Sequence, residues 1–386
     1  MTPSNLRIAL FSGNYNYVRD GANQALNRLV GYLLRQGVQV RIYSPTTDTP
    51  DFPPTGDLVS VGSIPLPFGR GEYRLARGLT GATRRDLKAF RPNIVHVAAP
   101  DILGHRAITW ARKRNIPVLA SMHTRFETYP RYYGLAFMEP ALEAVLRRFY
   151  RRCDAVVAPS ESMAQVMREQ RMSYDIGIWA RGIDTTIFNP GQRDLAWRRA
   201  LGIADDEPVI GFLGRLVMEK GLDVFSDSID ALRARGVRHR VLVIGEGPAH
   251  EWFESRLPGA VFVGFKAGQD LGKAVASMDM LFNPSVTETF GNVTLETMAC
   301  GIPVIAARAT GSESLVLDGE TGRLVKPGSI SGFADALAAY CTDDDLRAQH
   351  GAAGAKASGA YDWDRVNQAV LDTYYRLDRQ NPGSRD

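Results

Sequence analysis

The stretch M-L-F-N-P-S-V-T-E-T-F-G-N-V-T-L-E-T-M-A-C-G-I-P-V-I-A-A, residues 280–307, decides how this chain folds. It opens on a short apolar run, crosses a polar loop, and enters a short helix that Gly301 and Pro303 close. A second apolar run, residues 303–307, follows at once. Strand, loop, helix and strand in that order make the repeating unit of an α/β sheet. Two carboxylates flank the start of the helix. Glu288 precedes the turn at Gly291 and Asn292, and Glu296 sits about one turn inside, so both stand near free backbone N–H groups suited to an anion. At Phe290 and Gly291 a ligand can come close to the backbone, because glycine has no Cβ in the way.

The spacing E-x7-E carries little alone, since Glu161 with Glu169 and Glu246 with Glu254 repeat it. Those copies read as solvated charge on helices. Only the Glu288 copy follows an apolar strand and spans a turn with glycine.

Outward from this stretch the same alternation fills the chain. Strand candidates R-I-A-L-F-S (7–12), V-Q-V-R-I-Y (38–43), N-I-V-H-V (93–97), P-V-L-A-S (117–121) and D-A-V-V-A (154–158) form a first series. Proline-rich residues 48–71 read as irregular connection around one strand. A second series has V-I-G-F-L-G (209–214), V-L-V-I-G (241–245), A-V-F-V-G (260–264) and the two runs quoted first. Continuous apolar runs suit buried parallel strands. Residues 178–191 read as the single connection. The prediction is therefore α/β, with two Rossmann-like, doubly wound domains facing across a cleft and ligands at the carboxyl ends of strands. The expected domains are residues 1–185, residues 186–362, and a terminal helix and tail, residues 363–386, crossing back to the first domain.

At 386 residues, 45% hydrophobic and 23% charged, the chain has the composition of a soluble protein with two ordinary cores. Its three cysteines, Cys153, Cys300 and Cys341, fall at unrelated spacings, which fits a reducing compartment rather than disulfides or zinc. No signal peptide and no spanning run is legible. The net charge of +4 hides an asymmetry: residues 1–185 hold 25 basic against 15 acidic residues, and the rest hold 21 against 27. An anionic partner belongs with the first half.

Arg215 and Lys220 in G-F-L-G-R-L-V-M-E-K-G stand past a strand end, before Gly221 and a helix. Arginine suits bidentate phosphate contacts and lysine acts as a point charge, so the pair fits a diphosphate. Solvated loop charge is the alternative. His123 ends the strand at 117–121, where packing and function are both open on chemistry alone. Gly13 ends the first strand. The acidic groups Asp343 to Asp345 and Asp362 with Asp364 read as helix caps in preference to metal ligands. No G-x-G-x-x-G follows the first strand, against a dinucleotide dehydrogenase.

Together, G-R-x4-K-G, E-x7-E enclosing F-G, A-x-G-x-P-V after it, and R-G-I-D-T-x-x-F-N-P at the connection resemble the retaining glycosyltransferases of family 4, of GT-B architecture. The resemblance covers nearly the whole chain. It implies retaining transfer of a sugar from a UDP- or GDP-linked donor, with no cofactor and no essential metal. It also implies that Arg215 and Lys220 hold the donor diphosphate, Glu296 the ribose and Glu288 the sugar ring. Thr289 and the backbone of Phe290, Gly291 and Asn292 would line the donor, with Val263, Phe265 and Lys266 at the base and Gly13 facing the same site. His123 would lie beside the donor sugar, and the catalytic set would be Glu288, His123, Arg215 and Lys220. Many relatives have Gly-Gly in the first loop, where this chain has residues 14–20 and then Gly21 alone.

The segment H-T-R-F-E-T-Y-P-R-Y-Y-G-L resembles the branch containing sulfoquinovosyl, glucuronosyl and mannosyl transferases acting on lipids, and offers Arg125, Tyr129 and Arg131 for an acceptor. Arg147, Arg148, Arg151 and Arg152 follow on a basic amphipathic helix, and a second patch comprises Arg70, Arg74, Arg77, Arg84, Arg85, Lys88 and Arg91. Such surfaces suit an anionic membrane, and an ordinary surface helix packing its apolar face inward is the alternative for the first. The expectation is a cytoplasmic enzyme held peripherally on the inner face of the cytoplasmic membrane, with a lipid acceptor such as diacylglycerol or a ceramide-like lipid and no nucleic acid. A soluble or polysaccharide glycan acceptor, and a nucleotide-sugar epimerase or binding protein, are the alternatives. Oligomeric state is not legible.

Overall fold

The computed structural model describes residues 6–18, 20–65, 74–128 and 135–380. The chain divides into two compact units, Met1–Arg181 with Trp363–Asp386, and Gly182–Asp362. Each unit is built on one parallel sheet, and the two are Rossmann-like.

In the first unit the strands are β1 (Arg7–Phe11), β2 (Gln39–Ser44), β3 (Asp57–Ser60), β6 (Ile94–Val97), β7 (Val118–Ser121), β8 (Ala155–Ala158) and β9 (Ile176–Ile178), in the order β3-β2-β1-β6-β7-β8-β9. A separate antiparallel pair, β4 (Ser63–Pro65) and β5 (Arg74–Ala76), interrupts the series in sequence. Every residue of β6, β7 and β8 is buried, which is why these strands read as unbroken apolar runs. The helix Gly21–Arg35 starts on Asp20, whose carboxylate accepts from the Ala22 and Asn23 N–H groups in a capping box with Asn23. One layer of core joins Ile8 and Leu10 of β1, Leu29 and Val30 of that helix, and Val370, Leu371, Tyr374 and Leu377 of the last helix, Trp363–Gln380. Full burial of each such side chain contributes roughly 1.5–3 kcal/mol.

The second unit orders β10 (Val209–Leu213), β11 (Arg240–Ile244), β12 (Val261–Phe262), β13 (Met280–Asn283), β14 (Val304–Ala307) and β15 (Gly322–Val325) as β12-β11-β10-β13-β14-β15. Its core centres on Phe212, Phe225, Phe253, Phe282 and Phe333. Phe225 stacks on Phe282 with ring centroids 4.7 Å apart. In each sheet the strand order reverses once, between β1 and β6 in the first unit and between β10 and β13 in the second. Loops leaving such a reversal point diverge and open a crevice.

Three features depart from the sequence reading. The pair β4–β5 adds strands beyond the one expected within residues 48–71, β9 lies just before the expected connection and shares only Ile178 with it, and β15 is absent from the sequence reading. Among the described residues no helix is long and apolar enough to cross a membrane.

Candidate functional site

The reversal point of the second unit gathers the charged residues that the sequence singles out there. Arg215 and Lys220 lie on the loop that leaves β10, and Glu288 on the loop that leaves β13. The Lys220 ammonium donates to Glu288 Oε1 in a partly buried ion pair. The two loops are joined by backbone as well, since Thr287 Oγ1 donates to the Glu219 carbonyl at 3.4 Å. Arg215 is exposed just past the strand end.

Both helices that begin here start on a left-handed glycine. Gly291, at φ 99°, precedes the helix Asn292–Ala299, and Gly221, at φ 73°, precedes the helix Leu222–Ala234. Neither has a side chain bonded to its first N–H groups. A Ser or Asp cap would have filled that position, so the glycines leave backbone donors open beside Lys220 and Glu288. Phe290 is buried and meets Tyr361 edge to face at 5.8 Å, so only its backbone is offered to a ligand. Asn292 and Thr289 are partly buried.

Glu296 stands one turn further in, partly buried, and loss of water pushes its carboxyl up to about 7. Around neutral pH it therefore passes from hydroxyl donor to pure acceptor.

The stretch from Val263 to Lys266 is tied to the Arg215 loop through the end of β11. Gly245 N–H donates to the Gly264 carbonyl at 3.0 Å, Gly214 N–H to the Ile244 carbonyl at 3.0 Å, and Leu216 N–H to the Glu246 carbonyl at 2.9 Å. The packing has no room for side chains: a Cβ at Gly245 would lie 2.0 Å from the Gly214 carbonyl oxygen. Phe265 is left exposed, with Lys266 partly buried beside it.

Three residues here escaped the sequence reading. Thr310 Oγ1 donates to the Glu288 carbonyl at 2.9 Å, and Gly311, at φ 80°, lies where a Cβ would come within 2.9 Å of the carbonyl oxygens of Glu288 and Phe290. The signal for both was their place, just past β14 in the same sheet. Glu246, read as solvated charge, is exposed but accepts from the Phe265 N–H at 3.3 Å through Oε1.

The remaining site residues of the sequence reading belong to the first unit. Gly13 follows β1, and a Cβ there would stand 2.7 Å from Asp101 Oδ2. Asp101 caps the helix Ile102–Arg112, and burial pushes its carboxyl up to about 6 against the pull of the Gly104 N–H. His123 lies past β7 with both ring nitrogens in hydrogen bonds, Nε2 to Ser121 Oγ at 2.9 Å and Nδ1 to the Arg181 guanidinium at 2.9 Å. Burial, reinforced by Arg181, holds its pKa well below the usual imidazole range. Arg125 donates to Glu127 at 2.8 Å, a carboxylate that is itself buried. Tyr129 and Arg131 lie outside the described residues, as does Arg70.

On Glu139–Tyr150, Arg147 pairs with Glu143 and donates to the Gln170 carbonyl at 2.7 Å. Arg151 donates to the Arg171 carbonyl at 2.8 Å, and Arg152 to Thr109 Oγ1 at 2.6 Å. These three arginines therefore bond to neighbouring elements, two of them to carbonyls at Gln170 and Arg171 and the third to Thr109 of the helix Ile102–Arg112. Arg148 is exposed. Leu146 and Phe149 pack inward, whereas Leu135, Phe137, Met138 and Val145 lie outside, Phe137 at 77% exposure.

Two family models match, "Glycosyltransferase Family 4" over residues 19–187 and "Glycosyl transferases group 1" over residues 207–343. A GDP-mannose-dependent alpha-mannosyltransferase of Mycolicibacterium smegmatis is 30% identical, over 96% of this chain and 97% of its own. The sulfoquinovosyl transferase SQD2 of Arabidopsis thaliana is 28% identical, over 96% of this chain and 73% of its own. Among solved structures, the sucrose-phosphate synthase of Thermosynechococcus elongatus superposes with a TM-score of 0.79 at 21% identity, over 97% of this chain and 99% of its own. Two Rossmann-like units, a charged reversal point in the second, two matching family models and a mannosyltransferase relative matched along nearly its full length lead to one conclusion: the chain is a GT-B glycosyltransferase and belongs to glycosyltransferase family 4.

Proposed function

We propose that this protein moves a sugar from a UDP- or GDP-linked donor to a membrane lipid, such as diacylglycerol or a ceramide-like lipid, with retention at the anomeric carbon and without an essential metal. The observation that carries the donor half is the Lys220–Glu288 pair beside an uncapped helix start at a strand-order reversal. When a glycosyl phosphate bond breaks, negative charge builds on the leaving diphosphate. Lys220, Arg215 and the N–H groups at the start of Asn292–Ala299 stabilise that charge more in the transition state than in the ground state. Donor binding exchanges partners at Lys220, from the Glu288 carboxylate to phosphate, and frees Glu288 to accept from sugar hydroxyls. Glu296, as a carboxylate, accepts from the ribose hydroxyls. His123 borders the donor sugar. The leaving phosphate takes the acceptor proton on the face it departs from, so no side-chain base is needed. The mannosyltransferase relative, named for its dependence on GDP-mannose, supports a nucleotide-linked donor.

Support for a lipid acceptor is the exposure of Leu135, Phe137, Met138 and Val145 on the helix Glu139–Tyr150 and just before it, with Arg148 exposed on the same helix. Exposed apolar side chains together with a cation suit the boundary of an anionic bilayer. Such an enzyme works at the inner face of the cytoplasmic membrane.

Thermal-shift screening against UDP-, GDP- and ADP-sugars identifies the donor, since a ligand of the native state raises its stability by mass action. Incubation of that donor with lipid extract and EDTA then releases nucleoside diphosphate in proportion to lipid, and the anomeric proton coupling of the product reports retention. Release proportional only to a soluble glycan overturns the lipid acceptor, inversion overturns the retaining course, and EDTA inhibition overturns metal independence. Donor conversion without any acceptor would mark an epimerase.

A further inference from the structure

Five side chains of the first unit form an unbroken hydrogen-bonded line. Arg181 meets His123 Nδ1 at 2.9 Å, His123 Nε2 meets Ser121 Oγ at 2.9 Å, Ser121 Oγ meets His96 Nε2 at 2.9 Å, and His96 Nδ1 meets the Tyr374 hydroxyl at 2.7 Å. Arg181 is buried, anchored to the Trp179 and Ala180 carbonyls at 3.1 and 3.3 Å with its guanidinium 5.2 Å from the Trp179 ring centre. His96 and Tyr374 are fully buried.

A guanidinium has only donors. His123 Nδ1 must therefore accept, which puts the ring proton of a neutral His123 on Nε2 and aims it at Ser121. Ser121 has one proton, and its remaining partner is His96 Nε2. His96 then carries its proton on Nδ1 and donates to Tyr374. Direction is imposed from the arginine end, and the two histidines must be opposite tautomers.

We propose that Arg181 is a positioning residue for sugar transfer, holding His123 through this one-way line in a single tautomer and orientation at the end of β7. The functional half rests on the reading that His123 borders the donor sugar. Both ring nitrogens are committed inside the protein, so His123 acts as a fixed neutral wall rather than as a proton acceptor. Burial, which lowers the pKa of His96 to about 3 and that of His123 well below its ordinary value, agrees with neutral rings.

Two-bond proton–nitrogen spectra of the full chain labelled in its histidines read the tautomers directly. The expected result is Nε2–H at His123 and Nδ1–H at His96; equal or reversed tautomers overturn the proposal, even if no variant folds. Arg181→Met should give mixed tautomers at both rings and lower kcat ~10- to 100-fold, the scale of a misplaced group at a site, with a much smaller change in donor KM. Arg181→Lys should restore part of both. Tyr374→Phe should leave His123 as Nε2–H, because the polarity comes from the other end. An Arg181→Met chain with unchanged kcat overturns the positioning role. A wild-type chain inactive with every sugar donor defeats the transferase reading, while the tautomers still decide the hydrogen-bond line.

Discussion

The strand ends of the second unit present formal charges with few fixed bonds, while those at Ser121 and His123 in the first unit present neutral groups bonded on every side. At Lys220 and Glu288 the partners are an ammonium and a carboxylate, which a phosphate and a sugar hydroxyl can each replace. At His123 the partners are a buried arginine anchored to the Trp179 and Ala180 carbonyls and a serine with one proton. Charges held in an exchangeable pair suit groups that must follow charge as it moves. Neutral groups in a directed line suit a surface that must not move. The contrast separates electrostatic work from positioning within one protein.

The largest expected effect breaks the charged side of the comparison. Lys220→Met should lower kcat/KM for transfer ~100- to 1000-fold, the cost of removing one donor to a developing anion. It should change unfolding stability by no more than about 1 kcal/mol, since a partly exposed pair contributes little. Steady-state kinetics and urea unfolding on one preparation check both. Equal losses of stability and rate would mean that the pair is structural.

Gly311→Ala attacks the same loop from behind. A Cβ there meets the carbonyls of Glu288 and Phe290 in left-handed backbone, so the loop must shift. Transfer should fall ~100-fold, with about 1–3 kcal/mol of lost stability. Restoration of activity at high donor concentration would show that only donor affinity was affected.

Acidity sharpens the comparison next. Glu296 accepts ribose hydroxyls only as a carboxylate, and its pKa is pushed up to about 7. Donor affinity should therefore rise ~10-fold as pH goes from 6 towards 8, one protonation being tenfold per unit below the pKa. Calorimetry with the nucleoside diphosphate measures it, and Glu296→Gln should remove the slope. Stability runs the other way. The folded protein binds this proton more tightly than the unfolded chain does, so its contribution falls as pH rises from about 4.5 to about 7. Glu296→Gln should accordingly raise Tm at pH 8 and do little at pH 4.

The smallest effect tests the lipid surface. Phe137→Glu should weaken flotation with anionic vesicles several-fold, on the order of 1–2 kcal/mol for one aromatic ring kept in water. Arg151→Ala should leave vesicle binding unchanged and cost about 1 kcal/mol in stability through its lost bond to the Arg171 carbonyl. The reverse pattern would return the membrane contact to the arginine face.

Parallel strands with both faces covered are continuous apolar runs, so β1, β6, β7, β8, β10, β11, β13 and β14 were legible as sequence. β15 escaped because G-R-L-V exposes Arg323, and β9 because I-G-I is short and only partly buried. Arg215, Lys220 and Glu288 stood out because charge at a strand end beside glycine has few structural uses. Thr310 and Gly311 looked like any turn, since what matters in them is the carbonyls they face. His96 lay unremarked inside I-V-H-V, although a histidine in an otherwise apolar strand must find two partners. The bonds of Arg147, Arg151 and Arg152 were illegible for a related reason: sequence shows a charge but not the carbonyl or hydroxyl that accepts from it.

The first unit is closed by the last helix, which supplies Val370, Leu371, Tyr374 and Leu377 to its core. A nascent chain emerging from the ribosome therefore cannot finish the part it began with until residues beyond 362 have been made. The second unit, contiguous from Gly182 to Asp362, has all its residues earlier. Maturation of this protein should run against the usual order of synthesis, with the middle of the chain settled before its beginning.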